Sequence, residues 1–257
     1  MIFQALEKSL AFHRALADKL LGENGHTQFK TLSDGYDFET PPAFNVQKDG
    51  DTLNVFVDEP LDPWYLDITS MTREIRNASE KNITVHVNSV GGSVIYGIDI
   101  FSALRFQAEK NGAAITTINN GVVSSAAVLP YLAGDARYAG EGLGFVHNVQ
   151  SIIFGGFSND AEVDALAAEA KRFRSQMQKQ MVAIYMDRLS MKEKDVQDAL
   201  NAETLYTAKE FHEQGYATDA GFPSGTGGSD AVAENTSPKV NAALASMRGM
   251  LAVRRAA

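Results

Sequence analysis

An α/β fold with a mostly parallel sheet is predicted by two features of this chain. β-type runs alternate with amphipathic helical segments between residues 53 and 118, and glycine- or serine-rich turns stand where those runs end. Leu53-Asn-Val-Phe-Val57 and Ile83-Thr-Val-His-Val87 read as strands, rich in branched apolar residues. Ile68 to Ala78 reads as the helix between them, which makes a β-α-β crossover. Val94 to Gln107 is a second helix, with Ile98, Phe101, Leu104 and Arg105 at helical spacing, and Ala113-Ala-Ile-Thr-Thr-Ile118 is a third strand leading into a turn at Gly121. In open parallel sheets, functional groups gather beyond the carboxyl ends of the strands. Asn88-Ser-Val-Gly-Gly-Ser93 and Gly121-Val-Val-Ser-Ser125 both fall there.

Farther along, three capping boxes mark helix starts: Asn159 with Glu162, Ser190 with Glu193, and Thr207 with Glu210. The first opens a long helix from about Asp160 to Leu189, with Val163, Leu166, Phe173, Met177, Ile184 and Tyr185 on its apolar face. At roughly 1.5 Å per residue such a helix is about 45 Å long, more than one side of this core can cover, so part of that face should meet another subunit. The ends differ from the middle. Ile2 to Leu21 is an amphipathic helix closed by Gly22, and residues 23–50, broken by Pro41-Pro42, read as a connector. Pro223-Ser-Gly-Thr-Gly-Gly-Ser229 reads as a flexible linker, and Lys239 to Arg255 as a short basic amphipathic helix. The expected organisation is thus residues 1–49 as helix and connector, 50–222 as the functional domain, and 223–257 as linker and tail.

Composition narrows the function. A chain of 257 residues, 44% hydrophobic and 21% charged, buries a sizeable core. Having no cysteine, it has no disulfides, no thiolate metal site and no cysteine nucleophile, so acyl chemistry would fall to Ser or Thr. A net charge of −9 argues against a nucleic-acid partner, because no basic stripe is present to release counterions. No apolar run approaches the roughly 18 residues of a membrane span, and Met1-Ile-Phe-Gln lacks the basic start of a secretory signal, so the expected address is cytoplasmic with no membrane partner. No cofactor or metal is expected.

Peptide hydrolysis through a hydroxyl needs a sharply turned nucleophile, a base within reach, and backbone N–H groups aimed at the developing oxyanion. Gly121-Val-Val-Ser-Ser125 offers the first, since a serine opening a helix presents its hydroxyl beside the N–H groups of the first turn. Ser124 and Ser125 are both candidates, and either residue could serve only as an N-cap. Gly91-Gly92 can lay a bare amide against a substrate, though paired glycines also make ordinary turns. Of five histidines, His13 and His26 lie outside the core, His86 sits within a strand and His212 on a late helix, which leaves His147 at the end of Leu143-Gly-Phe-Val-His147 as the well-placed base.

Taken together, Asn88-Ser-Val-Gly-Gly-Ser-Val94, Gly121-Val-Val-Ser-Ser125, Phe145-Val-His147 and Ala202-Glu-Thr-Leu-Tyr-Thr-Ala208 with Gly215 resemble the successive motifs of the Clp-type endopeptidase family, and most of all its phage prohead or head-maturation proteases. The resemblance spans roughly residues 50–220. It implies a ClpP/crotonase-like spiral of β-β-α units with a long protruding helix. It implies Ser125 as nucleophile, His147 as general base, and the N–H groups of Gly92 and Ala126 as oxyanion hole. Aligning Leu205-Tyr-Thr-Ala208 places Glu203 as the acid, with Asp198 as the alternative. Protein substrates follow, capsid or scaffold proteins among them, together with a homo-oligomeric ring and a place in the cytoplasm or within the prohead.

Val90 stands where the family usually has Pro, Ala126 where many members have Met, and Pro130 is expected to interrupt the helix after the nucleophile. No unfoldase-docking surface is identifiable, so the resemblance supplies no ATPase partner. The competing readings are a cellular Clp-type housekeeping subunit, a crotonase-fold acyl-CoA enzyme, a Ser-Lys peptidase in which His147 is incidental, and an inert capsid-assembly component.

Overall fold

The computed structural model describes residues 46–62, 65–150 and 160–224, with the side chains of residues 160–162 excepted. The expected N-terminal helix, the Asn159–Glu162 capping box and the basic C-terminal helix lie outside the described residues.

A seven-stranded sheet forms the frame. Strand β1 (Val46–Asp49) runs antiparallel to β2 (Thr52–Val57), joined through Gly50 at φ +57°. The sheet therefore begins inside the segment expected to be a connector. The Gly50-Asp51 pair between the strands is the hairpin signal that marks it, since glycine at the first turn position adopts a positive φ without steric cost. Strand β2 pairs in parallel with β3 (Asn82–Ser89), and β3 with β4 (Ala114–Ser124). The register aligns Leu53 with Ile83 and Ile115, and Val55 with Val85, so alternate residues build one apolar face. Helices α1 (Ile68–Asn77) and α2 (Val94–Asn111) supply Met71, Ile75, Ile100 and Leu104 to the same buried core. Asp67 caps α1 by accepting the Ser70 N–H at 3.0 Å, and Gly112 at φ +64° ends α2.

Strand β4 departs from expectation. Instead of ending near Ile118 with a turn at Gly121, it continues to Ser124. The reason lies in two asparagines. Strand β3 shifts register between Val87 and Ser89, and the side chain of the intervening, buried Asn88 supplies the missing rung by accepting the Val122 N–H at 3.1 Å. Buried Asn119 accepts the Gly121 N–H at 3.1 Å and donates to the Leu143 carbonyl at 3.2 Å. With these groups satisfied, the strand passes Gly121 and pairs onward with β6 (Leu143–Phe145), while its earlier half pairs with β5 (Ala136–Tyr138).

A short 3₁₀ turn, Ser125–Ala127, leads from β4 directly into α3 (Val128–Leu132). Pro130 does not interrupt this helix. It occupies the third position, where the missing N–H would have no intrahelical partner in any case.

The long helix α4 (Asp160–Leu189) has the expected bounds. Among its described side chains the buried ones are in the C-terminal part, Met181, Val182, Ile184 and Tyr185, whereas Val163, Leu166 and Phe173 are about half exposed. The Arg188 guanidinium fastens its end by donating to the carbonyls of Leu132 and Gly134, both at 2.8 Å. Helix α5 (Glu193–Ala202) is not capped by Ser190: its N-cap is Lys192, because Ser190 itself turns into the left-handed region (φ +53°) to end α4. Strand β7 (Leu205–Tyr206) adds antiparallel to β6, and α6 (Ala208–Glu213) starts with the expected capping box. There the Glu210 carboxylate accepts the Thr207 N–H at 2.8 Å, and Thr207 Oγ1 accepts the Glu210 N–H at 3.3 Å. No helix among the described residues is long and apolar enough to cross a membrane.

Candidate active site

Among the described residues three non-glycine residues have positive φ, and two of them face one cleft: Ser125 (φ +54°) and Glu203 (φ +47°). Left-handed backbone in a residue carrying a Cβ costs on the order of 1–2 kcal/mol, and such strain concentrates where a side chain must be aimed. At Ser125 the turn comes at the junction of strand and 3₁₀ segment, so the side chain leaves the strand's alternation and enters the cleft. Ser124, one residue earlier, is still in β4 and fully buried.

The glycine pair lies directly on this turn. A Cβ on Gly91 (φ +89°) would sit 2.6 Å from both the Ser124 carbonyl oxygen and Ser125 Cβ, and 2.9 Å from the Ala126 nitrogen. One on Gly92 (φ +144°) would sit 2.6 Å from the Leu61 carbonyl oxygen. Leu61 makes a parallel bridge to Gly92, donating to the Gly91 carbonyl at 2.8 Å and accepting the Ser93 N–H at 2.9 Å. Since those bonds use the neighbours of Gly92, the Gly92 N–H points to the edge away from Leu61. Ser89 steadies the loop, donating its hydroxyl to the Glu59 carbonyl at 2.7 Å and accepting the Gly91 N–H at 3.2 Å. From the other side, α2 packs so tightly that a Cβ on Gly97 would meet the Ala126 carbonyl oxygen at 2.6 Å.

His147 lies two residues past the end of β6 and lines the same cleft. Its Nδ1 is 2.7 Å from the backbone carbonyl oxygen of Asn148. A carbonyl only accepts, so Nδ1 carries the proton and the lone pair of the neutral ring resides on Nε2. Glu203 reaches the cleft as the residue that ends α5. Asp198 does not line it. It lies within α5, exposed and paired with Lys194 one turn away.

The cleft, about 520 Å³ in volume, thus brings together Ser125, Ala126, Gly92, His147 and Glu203. Its walls are largely apolar, from Val94, Ile95, Phe145, Phe173, Met177 and Met181, and the charged residues among the described lining, Asp62 and Glu203, are both acidic. His86 is elsewhere, stacked on Phe56 with ring centroids 4.7 Å apart and its Nδ1 3.1 Å from Asn120 Nδ2; burial holds its imidazole below the ordinary value. Among the described residues no group of three His, Asp or Glu side chains could hold a metal ion.

The supports of this site are residues to which the sequence motifs assign no role. Asn88 and Asn119 hold β4 in register, Ser89 ties down the glycine loop, and Leu61 fixes Gly92. The available signal was amide residues inside apolar strand sequence, where unpaired polar groups are costly.

The sequence profile of Clp protease matches residues 71–220, more than half of the chain. The chain belongs to the Clp protease family. Among solved structures, a mutant form of ClpP1 from Listeria monocytogenes is similar to this Clp protease with a TM-score of 0.52, at 16% identity over 65% of this chain and 90% of that one. At that identity the likeness concerns the fold, which is the expected ClpP/crotonase-like α/β architecture. No curated protein matches the sequence. Family and fold together make this a Clp-type serine protease, a hydrolase of a family whose members form rings and act on protein substrates.

Proposed function

We propose that this Clp protease cleaves peptide bonds with Ser125 as nucleophile, His147 as general base and Glu203 as the acid that supports the base. The observation that carries the reading is the strained turn at Ser125, which faces a cleft shared with His147 and Glu203 and touches the Gly91-Gly92 loop. Ser125 Oγ attacks the scissile carbonyl carbon while its proton passes to Nε2 of His147. The carbonyl oxygen becomes negative against the N–H groups of Gly92 and Ala126, one on a bare glycine edge and the other in the first turn of a 3₁₀ segment. As the C–N bond breaks, the imidazolium returns its proton to the leaving amine. Water then repeats the sequence, and its attack releases the acyl group from Ser125. Glu203 places a carboxylate in the same cleft, which stabilises the imidazolium formed in between.

The biological setting we propose is maturation of a phage prohead, with capsid or scaffold proteins as substrates, in the cytoplasm or inside the prohead. This rests on the motif resemblance of residues 50–220 to head-maturation proteases. A ring of copies is proposed through α4, whose Val163, Leu166 and Phe173 are exposed at a spacing that places them on one face. Labelling with a serine-directed fluorophosphonate tests the chemistry: adduct on Ser125 with loss of peptidase activity is expected, and activity without label would refute the assignment. Coexpression with capsid and scaffold proteins tests the setting, with cleavage by the active enzyme but not by Ser125→Ala expected, and intact proteins with both overturning it.

A further inference from the structure

Four amide side chains meet next to His147, and one of them belongs to Asn148, which also lines the cleft. Asn148 Oδ1 accepts from Gln178 Nε2 at 2.6 Å and from Gln197 Nε2 at 3.0 Å, while Asn148 Nδ2 donates to Asn201 Oδ1 at 2.6 Å. Gln178 also accepts the Val149 N–H on its Oε1 at 2.8 Å. Gln178 comes from α4, and Gln197 and Asn201 from α5, the helix that ends in Glu203. Both acceptor sites of the Asn148 carbonyl oxygen are therefore filled, and residues 148 and 149 are tied to two helices at once. The residue so held is the one whose backbone carbonyl accepts the hydrogen bond from His147 Nδ1.

We infer that Asn148 is the positioning residue of the base: its carbonyl sets the tautomer of His147, and its side chain, clamped by Gln178, Gln197 and Asn201, holds that carbonyl still relative to Glu203. The inference rests on the reading of His147 as general base. A backbone carbonyl can orient a histidine but bears no full charge, so orientation and charge stabilisation are divided here between Asn148 and Glu203. All four clamp residues are neutral amides, and their hydrogen bonds persist unchanged across the pH range in which a histidine titrates. The clamp also explains why the base can sit past the end of a three-residue strand: rigidity comes from side-chain bonds to helices rather than from the ladder. Coupled amide networks of this kind are worth more than their separate bonds when every member is satisfied.

Steady-state kinetics on a fluorogenic peptide, with kcat and KM measured against pH, test the inference. Asn148→Ala should lower kcat by about 10- to 100-fold with little change in KM, the loss expected when a reacting group is misplaced by about 1 Å. Asn148→Asp keeps the acceptor for Gln178 and Gln197, so it should recover much of that kcat. It also sets a carboxylate beside His147, in a cleft already holding Asp62 and Glu203, and the acidic limb of the pH profile should move to higher pH. A residue needed only for folding would show the reverse, with Asn148→Asp no better than Asn148→Ala and no movement of the limb. Should Asn148→Ala fail to fold, Asn201→Ala removes one exposed bond and should lower kcat by a smaller factor at the same KM. Folded Asn148→Ala or Asn201→Ala protein with the kcat of the wild type overturns the inference and leaves the base assignment standing. Full activity of His147→Ala overturns the base assignment, and the inference with it.

Discussion

Replacing Gly91 by alanine measures how closely the glycine loop must approach the nucleophile. The added Cβ would lie 2.6 Å from the Ser124 carbonyl oxygen and from Ser125 Cβ, where ordinary contact begins at 3.4 Å, so loop and turn must separate by 3.4 − 2.6 = 0.8 Å. Both obstacles belong to the backbone or to a Cβ, and neither can swing aside. A displacement of about 1 Å between catalytic groups costs on the order of 100-fold in rate, so kcat should fall by roughly 30- to 100-fold. The positive φ of +89° adds strain of about 1–2 kcal/mol, and the melting temperature should drop by several degrees. Gly112→Ala is the control. Its φ of +64° imposes a comparable strain, but a Cβ there meets nothing within 4 Å. That variant should lose stability of about the same size and keep its kcat. Peptide hydrolysis with thermal melts on both variants decides the matter: Gly91→Ala with kcat within threefold of wild type, or Gly112→Ala with an equal loss of kcat, refutes the argument that loop approach and not glycine strain governs the rate.

Ser125→Ala should abolish peptide hydrolysis and fluorophosphonate labelling with melting nearly unchanged, while Ser124→Ala, buried in β4, should remain labelled; the opposite pattern would move the nucleophile by one residue. Glu203→Gln should lower kcat by a smaller factor than His147→Ala, and exposed Asp198→Asn should leave kcat unaltered; a dead Asp198→Asn beside a fully active Glu203→Gln would reassign the acid. Leu166→Glu places a charge on the exposed apolar face of α4 and should shift the assembly to smaller species by light scattering at micromolar concentration, whereas a wild type already monomeric there would refute the ring. Self-cleavage between Phe222 and Lys239 is expected, just beyond the point where the Gly221 carbonyl is anchored by the Gly140 N–H at 2.9 Å; mass spectra showing an intact Ala257 terminus in active protein as well as in Ser125→Ala would exclude it.

Much of the framework was legible along the chain because the signals are local. Period-two burial placed β2 and β3, and helical spacing placed α1 and α2, with ends differing by at most a few residues; the long helix from Asp160 and the Thr207–Glu210 capping box followed from patterns only a few residues wide. The same locality misled at Gly121 and Ser190, each of which has the composition of a turn or cap. At Gly121 the outcome was decided by Asn88, 34 residues from the N–H it satisfies, which lets β4 continue and moves the sharp turn to Ser125. At Ser190 it was decided by how α4 ends.

The two carboxylates show the same division. Glu203 and Asp198 are five residues apart and chemically alike, and the direction of α5 sends one into the cleft and leaves the other paired with Lys194 in solvent. Nor could any spacing rule link Asn148 to Gln178, Gln197 and Asn201, which are 30, 49 and 53 residues away. Backbone periodicity is carried by neighbours in the chain, whereas satisfying a buried polar group depends on whichever distant donor or acceptor the packing brings within about 3 Å. Elements are therefore readable from sequence, and the hydrogen bonds that aim a serine, a histidine and a carboxylate into one cleft arise only when those elements meet.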